Sequence, residues 1–171
     1  MLNRFIQHSL AGWRRFLKLG VSMGLIWSLI LASPTWADNY DKANLVDADF
    51  AGQSLTDSSF DKANLRSSNL SHADLTGVRL FAANLEDANL EGANLSYATL
   101  DSARLVHANL KNAVLEGAFA FNTNFGGATI DGADFTDVLL RRDMQDKLCA
   151  VAAGVNPITQ RATRETLLCP R

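Results

Sequence analysis

Few side chains in this chain are suited to chemistry, and their spacing narrows what that chemistry is. Cys149 and Cys169 are the only cysteines, both near the end of the chain. They lack C-x-x-C spacing, which argues against oxidoreductase catalysis. Their open roles are a structural disulfide or a redox-sensitive clasp. Of the three histidines, His8 lies in a leader, while His72 and His107 fall in a polar phase of the chain and read as solvated. No Cys/His cluster has zinc-ligand spacing, and no glycine loop of the phosphate-binding kind is present. The 18 Asp and Glu residues invite a search for an acid–base pair, which needs a concave, partly desolvated site. Their positions instead follow a five-residue rhythm, so the repeat is what places them.

The rhythm is regular. From residue 45 to 135 every fifth residue is Leu, Phe or Ile, with Ala120 the one exception. Two positions earlier, Ala fills 14 of 20 slots between Ala43 and Val138. Between them stands most often Asn or Asp, and the two remaining positions are polar or Gly. Five is the period of neither helix nor strand. In a short extended segment alternate residues share a face, so Ala and Leu point one way and the Asn between them the other. The next two residues turn the chain, which suits Gly, Asp, Ser and Thr. Repeating a side and a corner closes a coil, and stacked coils pair their backbones about 4.8 Å apart. No coil buries its own apolar residues, so several must stack.

The pattern A-(N/D)-L-X-X, running in tandem over residues 41–140, resembles the pentapeptide-repeat family. That resemblance implies an all-β solenoid: a right-handed quadrilateral β-helix with four repeats per coil, here of about five coils. Residues 20 apart then stack. The expected core centre includes Leu45, Phe50, Leu65, Leu85, Leu90, Leu95, Leu105, Phe125 and Phe135. The central Phe residues cluster toward the two ends, where larger rings would help close the core. At "AFAFNTNF" (118–125) a simple Ala120 would leave a void worth roughly 2–5 kcal/mol. The expectation is that Phe119 or Phe121 turns inward, or that the backbone bulges.

The flanks differ from the body. Residues 1–37 carry Arg4, Arg14, Arg15 and Lys18, then an uncharged run at 19–32 and "SPTWA". This is the layout of a secretory signal, with cleavage near Ala37; the run is too short for a span, so no stable membrane span is expected in the mature form. Residues 38–140 form the repeat body. Residues 141–171 form a cap, read as an amphipathic helix with Leu140, Met144, Leu148 and Ala152 on one face, then a short helix with Thr163 as its N-cap. In an exported protein, paired lone cysteines in such a cap read as a Cys149–Cys169 disulfide stabilising it by about 3 kcal/mol, with a redox switch as the alternative. The tail is similar to lumenal and periplasmic members of the family from cyanobacteria, which implies a thylakoid-lumen or periplasmic home.

Function is then sought on the outer faces. Residues 38–137 carry a net charge of −9 and residues 138–171 carry +3, which argues against nucleic acid as the body's partner. Phe81 and Phe121 share an outer column with Asp41, Asp61 and Asp101, and Val106 lies on a neighbouring one. Exposed aromatics on a rigid face are candidate anchors for a protein partner. The reading is an exported, non-enzymatic structural or interaction module with no cofactor and no metal, its protein partner unidentified. The alternatives are a DNA mimic that binds gyrase, known in some family members, and a redox-sensitive lumenal regulator acting through the cysteine pair.

Overall fold

The computed structural model describes residues 38–170. The leader at 1–37, its cleavage near Ala37, and His8 lie outside the described residues. Between Asn39 and Leu139, seventeen parallel bridges each join residues 20 apart. One coil therefore takes 20 residues and has four sides of five. The bridging residue is always the one before the central apolar residue. Around it the ladder is regular: the Leu65 N–H donates to the Asn84 carbonyl at 2.7 Å, and the Asn84 N–H donates to Ala63 at 2.9 Å. Each corner closes with its own bond, as from the Ala63 N–H to the Phe60 carbonyl at 3.0 Å. In the inner coils the backbone is thus paired within each coil and with the coils above and below.

The core is four inner columns converging on one axis. Leu65, Leu85, Leu90, Leu95 and Leu105 are fully buried, and Phe50, Phe125 and Phe135 nearly so. Leu45, in the first coil, is only partly covered. Ala residues such as Ala83, Ala93 and Ala103 are buried beside the central Leu columns. They leave the space that four converging large side chains need. The rings gather at the two ends. Tyr40 stacks on Phe60 at 4.7 Å, and Phe50 meets both edge-on. At the other end Phe125 and Phe135 pack edge-on at 6.1 Å.

The second corner residue adopts a left-handed backbone. Non-glycine residues do so repeatedly, among them Lys62, Tyr97 and Asn112 at φ of 58–59°, so the turn alone does not demand glycine. The coil below does. A Cβ on Gly92 would lie 2.5 Å from His72 Nδ1, and one on Gly117 would lie 2.8 Å from the Tyr97 ring. Two corner columns accordingly alternate bulk and glycine: Gly52, His72, Gly92, Asn112, Gly132, and Asp57, Gly77, Tyr97, Gly117, Asp137.

The expectation that Phe119 or Phe121 turns inward at Ala120 is overturned. Ala120 is buried, yet Phe119 and Phe121 both point outward, 54% and 48% exposed. The register does not slip, because Phe119 bridges Thr99 below and Leu139 above. The same coil carries larger residues on the next side: Phe125 stands where most sides have Leu, and Thr123, buried, where most have Ala. The Thr123 hydroxyl donates to the Leu100 carbonyl at 2.6 Å, which satisfies it in that apolar setting. The irregularity is confined to the corner. Asn122 is the one second-corner residue from 42 to 137 without a positive φ, and its N–H turns down to Asp101 Oδ1 at 3.0 Å.

Beyond the coils lie α1 (Arg142–Val151) and α2 (Thr163–Thr166), separated by a turn closed by the antiparallel bridge Val155–Ala162. Leu148 of α1 and Ala152 just beyond it are buried against the core, with Leu140 and Met144 packed at its margin. The N-cap of α2 is Ala162 rather than Thr163, which is the first helical residue and is itself buried.

Candidate interaction surface

The cap makes a cluster of polar contacts back to the last coils. Asn156 is fully buried. Its amide donates to the carbonyls of Asn112, Ala113 and Gly132 at 2.9–3.2 Å, and its Oδ1 accepts from the Ile158 and Thr159 N–H groups. The asparagine of "VNP" therefore does more than break a helix: it occupies the edge where another coil would have paired. Gly154 passes so close that a Cβ would lie 2.8 Å from the Gly132 nitrogen. Arg161 reaches back across two coils to Glu116 at 2.6 Å and Asp134 at 3.2 Å. Burial alone would raise the Asp134 pKa, but the Thr136 hydroxyl and N–H, the nearby Thr159 hydroxyl and the Arg161 charge outweigh it and hold the carboxyl below its ordinary value. Cys149 and Cys169 form a disulfide with Cα atoms 5.5 Å apart. It ties α1 to the residues just past α2, and Arg164 donates to the Cys149 carbonyl beside it.

The sides of the rod are mostly self-satisfied. Asn side chains climb in ladders, as from Asn109 to Asn89 to Asn69, and their Oδ1 atoms also accept from the corner N–H two residues on. Arg104 interrupts one ladder and makes a two-pronged pair with Glu86 one coil below, both contacts at 3.1 Å. That pairing lowers the Glu86 pKa. Asp61 and Asp101 of the Phe81 column accept backbone N–H bonds from the coil above. His72 and His107 are exposed at corners on different columns. Among the described residues no group of three or more His, Cys, Asp or Glu is placed to hold a metal ion.

The sides also expose apolar groups. Phe81 and Phe121 stand on one corner column two coils apart, 40% and 48% exposed, with Asp101 between them. Val106 is half-buried and belongs to another column. Phe119 and Leu139, missed as surface residues by sequence reasoning, extend the strip: they bridge one another on adjacent coils and both are exposed. Their phase in the repeat was the available signal, since both occupy the outward position. Leu139 also lines a groove of about 400 Å³ between the last side of the rod and the α2 segment, bounded by Phe135, Leu140, Leu167 and Leu168. Nothing in the local sequence indicates that groove, which depends on how the tail folds back.

A square, parallel β-solenoid with a filled axis, laddered sides and a docked cap is the class this architecture defines. Its exposed apolar features are a strip on the sides and a groove at the end. The chain belongs to the pentapeptide-repeat family, whose description matches residues 43–80, 83–119 and 103–142 in eight copies. The coils are thus those of a right-handed quadrilateral β-helix. A pentapeptide repeat protein from the Arabidopsis thaliana thylakoid lumen, known by crystal structure, is 46% identical with a TM-score of 0.73, covering 75% of this chain and 89% of that one. A pentapeptide repeat protein from Nostoc is 32% identical with a TM-score of 0.52, covering 60% of this chain and 84% of its own. The chloroplast protein of Arabidopsis thaliana called thylakoid lumenal 15 kDa protein 1 is 62% identical over 48 residues, which is 28% of this chain and 21% of that protein. The match thus spans about a fifth of that relative.

Proposed function

We propose that this chain is an exported, non-enzymatic protein-interaction module of the thylakoid lumen or a periplasm. The observation that carries the reading is the exposed strip of Phe81, Phe119, Phe121 and Leu139 on a rigid, self-paired scaffold. Large aromatic anchors on a surface that needs no reordering are what protein interfaces use, since little entropy is lost on docking. Relatives named for the thylakoid lumen and the leader-like residues 1–37 support the compartment. A DNA-mimic reading rests on body charge alone, and Arg79 and Arg104 interrupt that charge, each beside an acid of the coil below. The redox-regulator reading rests on the disulfide and is tested separately below. No helix among the described residues is long and apolar enough to cross a membrane.

The test is crosslinking in intact cells followed by mass spectrometry, with a leader-deleted chain as the compartment control. Partners captured by the native chain are expected to disappear with the double variant Phe119→Ser, Phe121→Ser. An unchanged partner set with that variant, its fold retained by circular dichroism, would overturn the assignment of the strip. Capture of no partner at all would overturn the interaction reading itself.

A further inference from the structure

The groove at the end of the rod has a second property besides being apolar: one of its walls is an unfinished β-edge. In the regular coils the central residue and the second corner residue send their N–H groups to the next coil, as Leu105 does to Asn124 and His107 to Gly126. The residue two before the centre offers its carbonyl the same way, as Ala103 does to Asn124. On the last side these roles fall to Leu140, Asp137 and Val138, and no further coil follows. Among the described residues the N–H groups of Asp137 and Leu140 and the carbonyl of Val138 have no hydrogen-bond partner. All three residues line the groove.

The opposite wall is the end of α2, held against α1 by the disulfide. Leu168 there is 81% exposed and has a left-handed φ of 54°, an unusual state for leucine. Leu139 forms the other lip, 54% exposed. The charged lining residues are Arg161, Asp137 and Glu165. Arg161 is paired with Glu116 and Asp134 and also feels the Asp137 charge, so the carboxylates outnumber the one lining cation, and neither Asp137 nor Glu165 has a cationic side chain within salt-bridge distance among the described residues.

We infer that this groove receives a short extended apolar segment of a partner protein, flanked by Lys or Arg, which adds a strand to the open edge at Asp137–Leu140. The segment completes the three idle backbone groups as a further coil would, a mode of recognition in which main-chain bonds give affinity and side-chain pockets give selectivity. Its apolar side chains lie between Leu139 and Leu168. Its basic flank faces Asp137 and Glu165. The inference rests on the interaction-module reading and names the kind of segment that the terminal part of the surface takes.

The experiment titrates the full chain with the peptide acetyl-Lys-Val-Leu-Val-Lys-amide. The comparison peptides carry Glu in place of Lys, or N-methyl groups on alternate residues so that the strand cannot donate. The readouts are amide shifts and amide exchange by NMR. Saturable binding is expected, with shifts confined to residues 135–140 and 165–168 and slowed exchange at the Asp137 and Leu140 amides. Both comparison peptides should bind at least about tenfold more weakly, as should the Leu168→Asp variant with the native peptide. No binding, equal binding of the Glu or N-methylated peptide, unchanged exchange at Asp137 and Leu140, or a self-associated groove that the peptide does not displace would each overturn the inference. Partners crosslinked in cells separate the two levels. Partners retained by Leu168→Asp but lost by Phe119→Ser, Phe121→Ser would sink the groove and leave the interaction reading standing.

Discussion

Replacing Asn156 by Ala should loosen the cap while sparing the rod. The side chain is fully buried and makes five contacts: three through its amide, to Asn112, Ala113 and Gly132, and two at its Oδ1, from Ile158 and Thr159. Truncation frees all of them. The Ile158 N–H belongs to an exposed residue and can turn to water, so it adds little. The Ala113 and Gly132 carbonyls are in the buried part of the contact, and each unmet buried group costs about 1–3 kcal/mol. The sum for those two, part of it relieved by relaxation, is about 2–4 kcal/mol. Spread over the whole rod this would be a modest shift. Concentrated on the cap it raises local opening by roughly 30- to 1,000-fold, at tenfold per 1.4 kcal/mol.

The assay is amide exchange. Gly132 donates to Ala153 and Thr163 donates to Gly154, so both report on cap docking. Asn89, bonded to Ser68 in the middle coils, reports on the rod. Exchange at Gly132 and Thr163 should accelerate by that factor in Asn156→Ala while Asn89 is unchanged. Asn156→Asp, nearly the same shape, should be worse at neutral pH, because it presents a carboxylate to three carbonyl oxygens. Gln160→Ala, at an exposed turn position, should change little. Unaltered Gly132 and Thr163 exchange in Asn156→Ala, or an Asp variant milder than the Ala variant, would refute the assignment of Asn156 as the anchor.

Three further outcomes are expected. Ala120→Leu should destabilise by about 1–3 kcal/mol through overpacking, and pairing it with Phe125→Leu should recover most of the loss; additive losses in a thermal-melt double-mutant cycle would show that the two sites do not share volume. The Asp134 carboxyl is held below its ordinary value in the fold, so its contribution is complete above about pH 5 and fades as pH falls through 4 and below; exchange at Gly132 between pH 7 and 3 should show that loss, and Asp134→Asn should flatten it. Reducing Cys149–Cys169, which closes a loop at a sequence separation of 20, should cost the cap about 3 kcal/mol and expose Arg161 and Arg164 to trypsin; identical tail cleavage with and without dithiothreitol would count against both the structural and the regulatory role.

How much of this was legible depends on whether a residue's neighbours are set by the repeat or by the tail. Within the coils, neighbours are fixed by arithmetic: residue 85 sits over residue 65 because both belong to one five-residue rhythm, so a count along the chain is already a statement about space. An inward Phe119 or Phe121 would be required only if one side of a coil had to fill itself. Four sides share one axis, and the next side carries a buried Phe125 where most sides have Leu, so volume is a property of the coil and not of one position, which is what the Ala120–Phe125 cycle tests. The corner accepts non-glycine residues, since Lys62 and Tyr97 share its left-handed backbone; what crowds Gly92 is the His72 ring beneath it, a neighbour 20 residues away that the same arithmetic discloses. In the tail no such period exists. Asn156 meets Asn112 at a separation of 44 and Arg161 meets Glu116 at 45, distances that no local pattern encodes. The groove belongs to this second kind, since its two walls come from the last repeat side and from α2. It follows that the repeat body, however regular, offers the same laddered faces in any chain built this way, and that selectivity for a partner has to reside where the rhythm fails: at the outward phenylalanines and at the edge that the cap leaves unfinished.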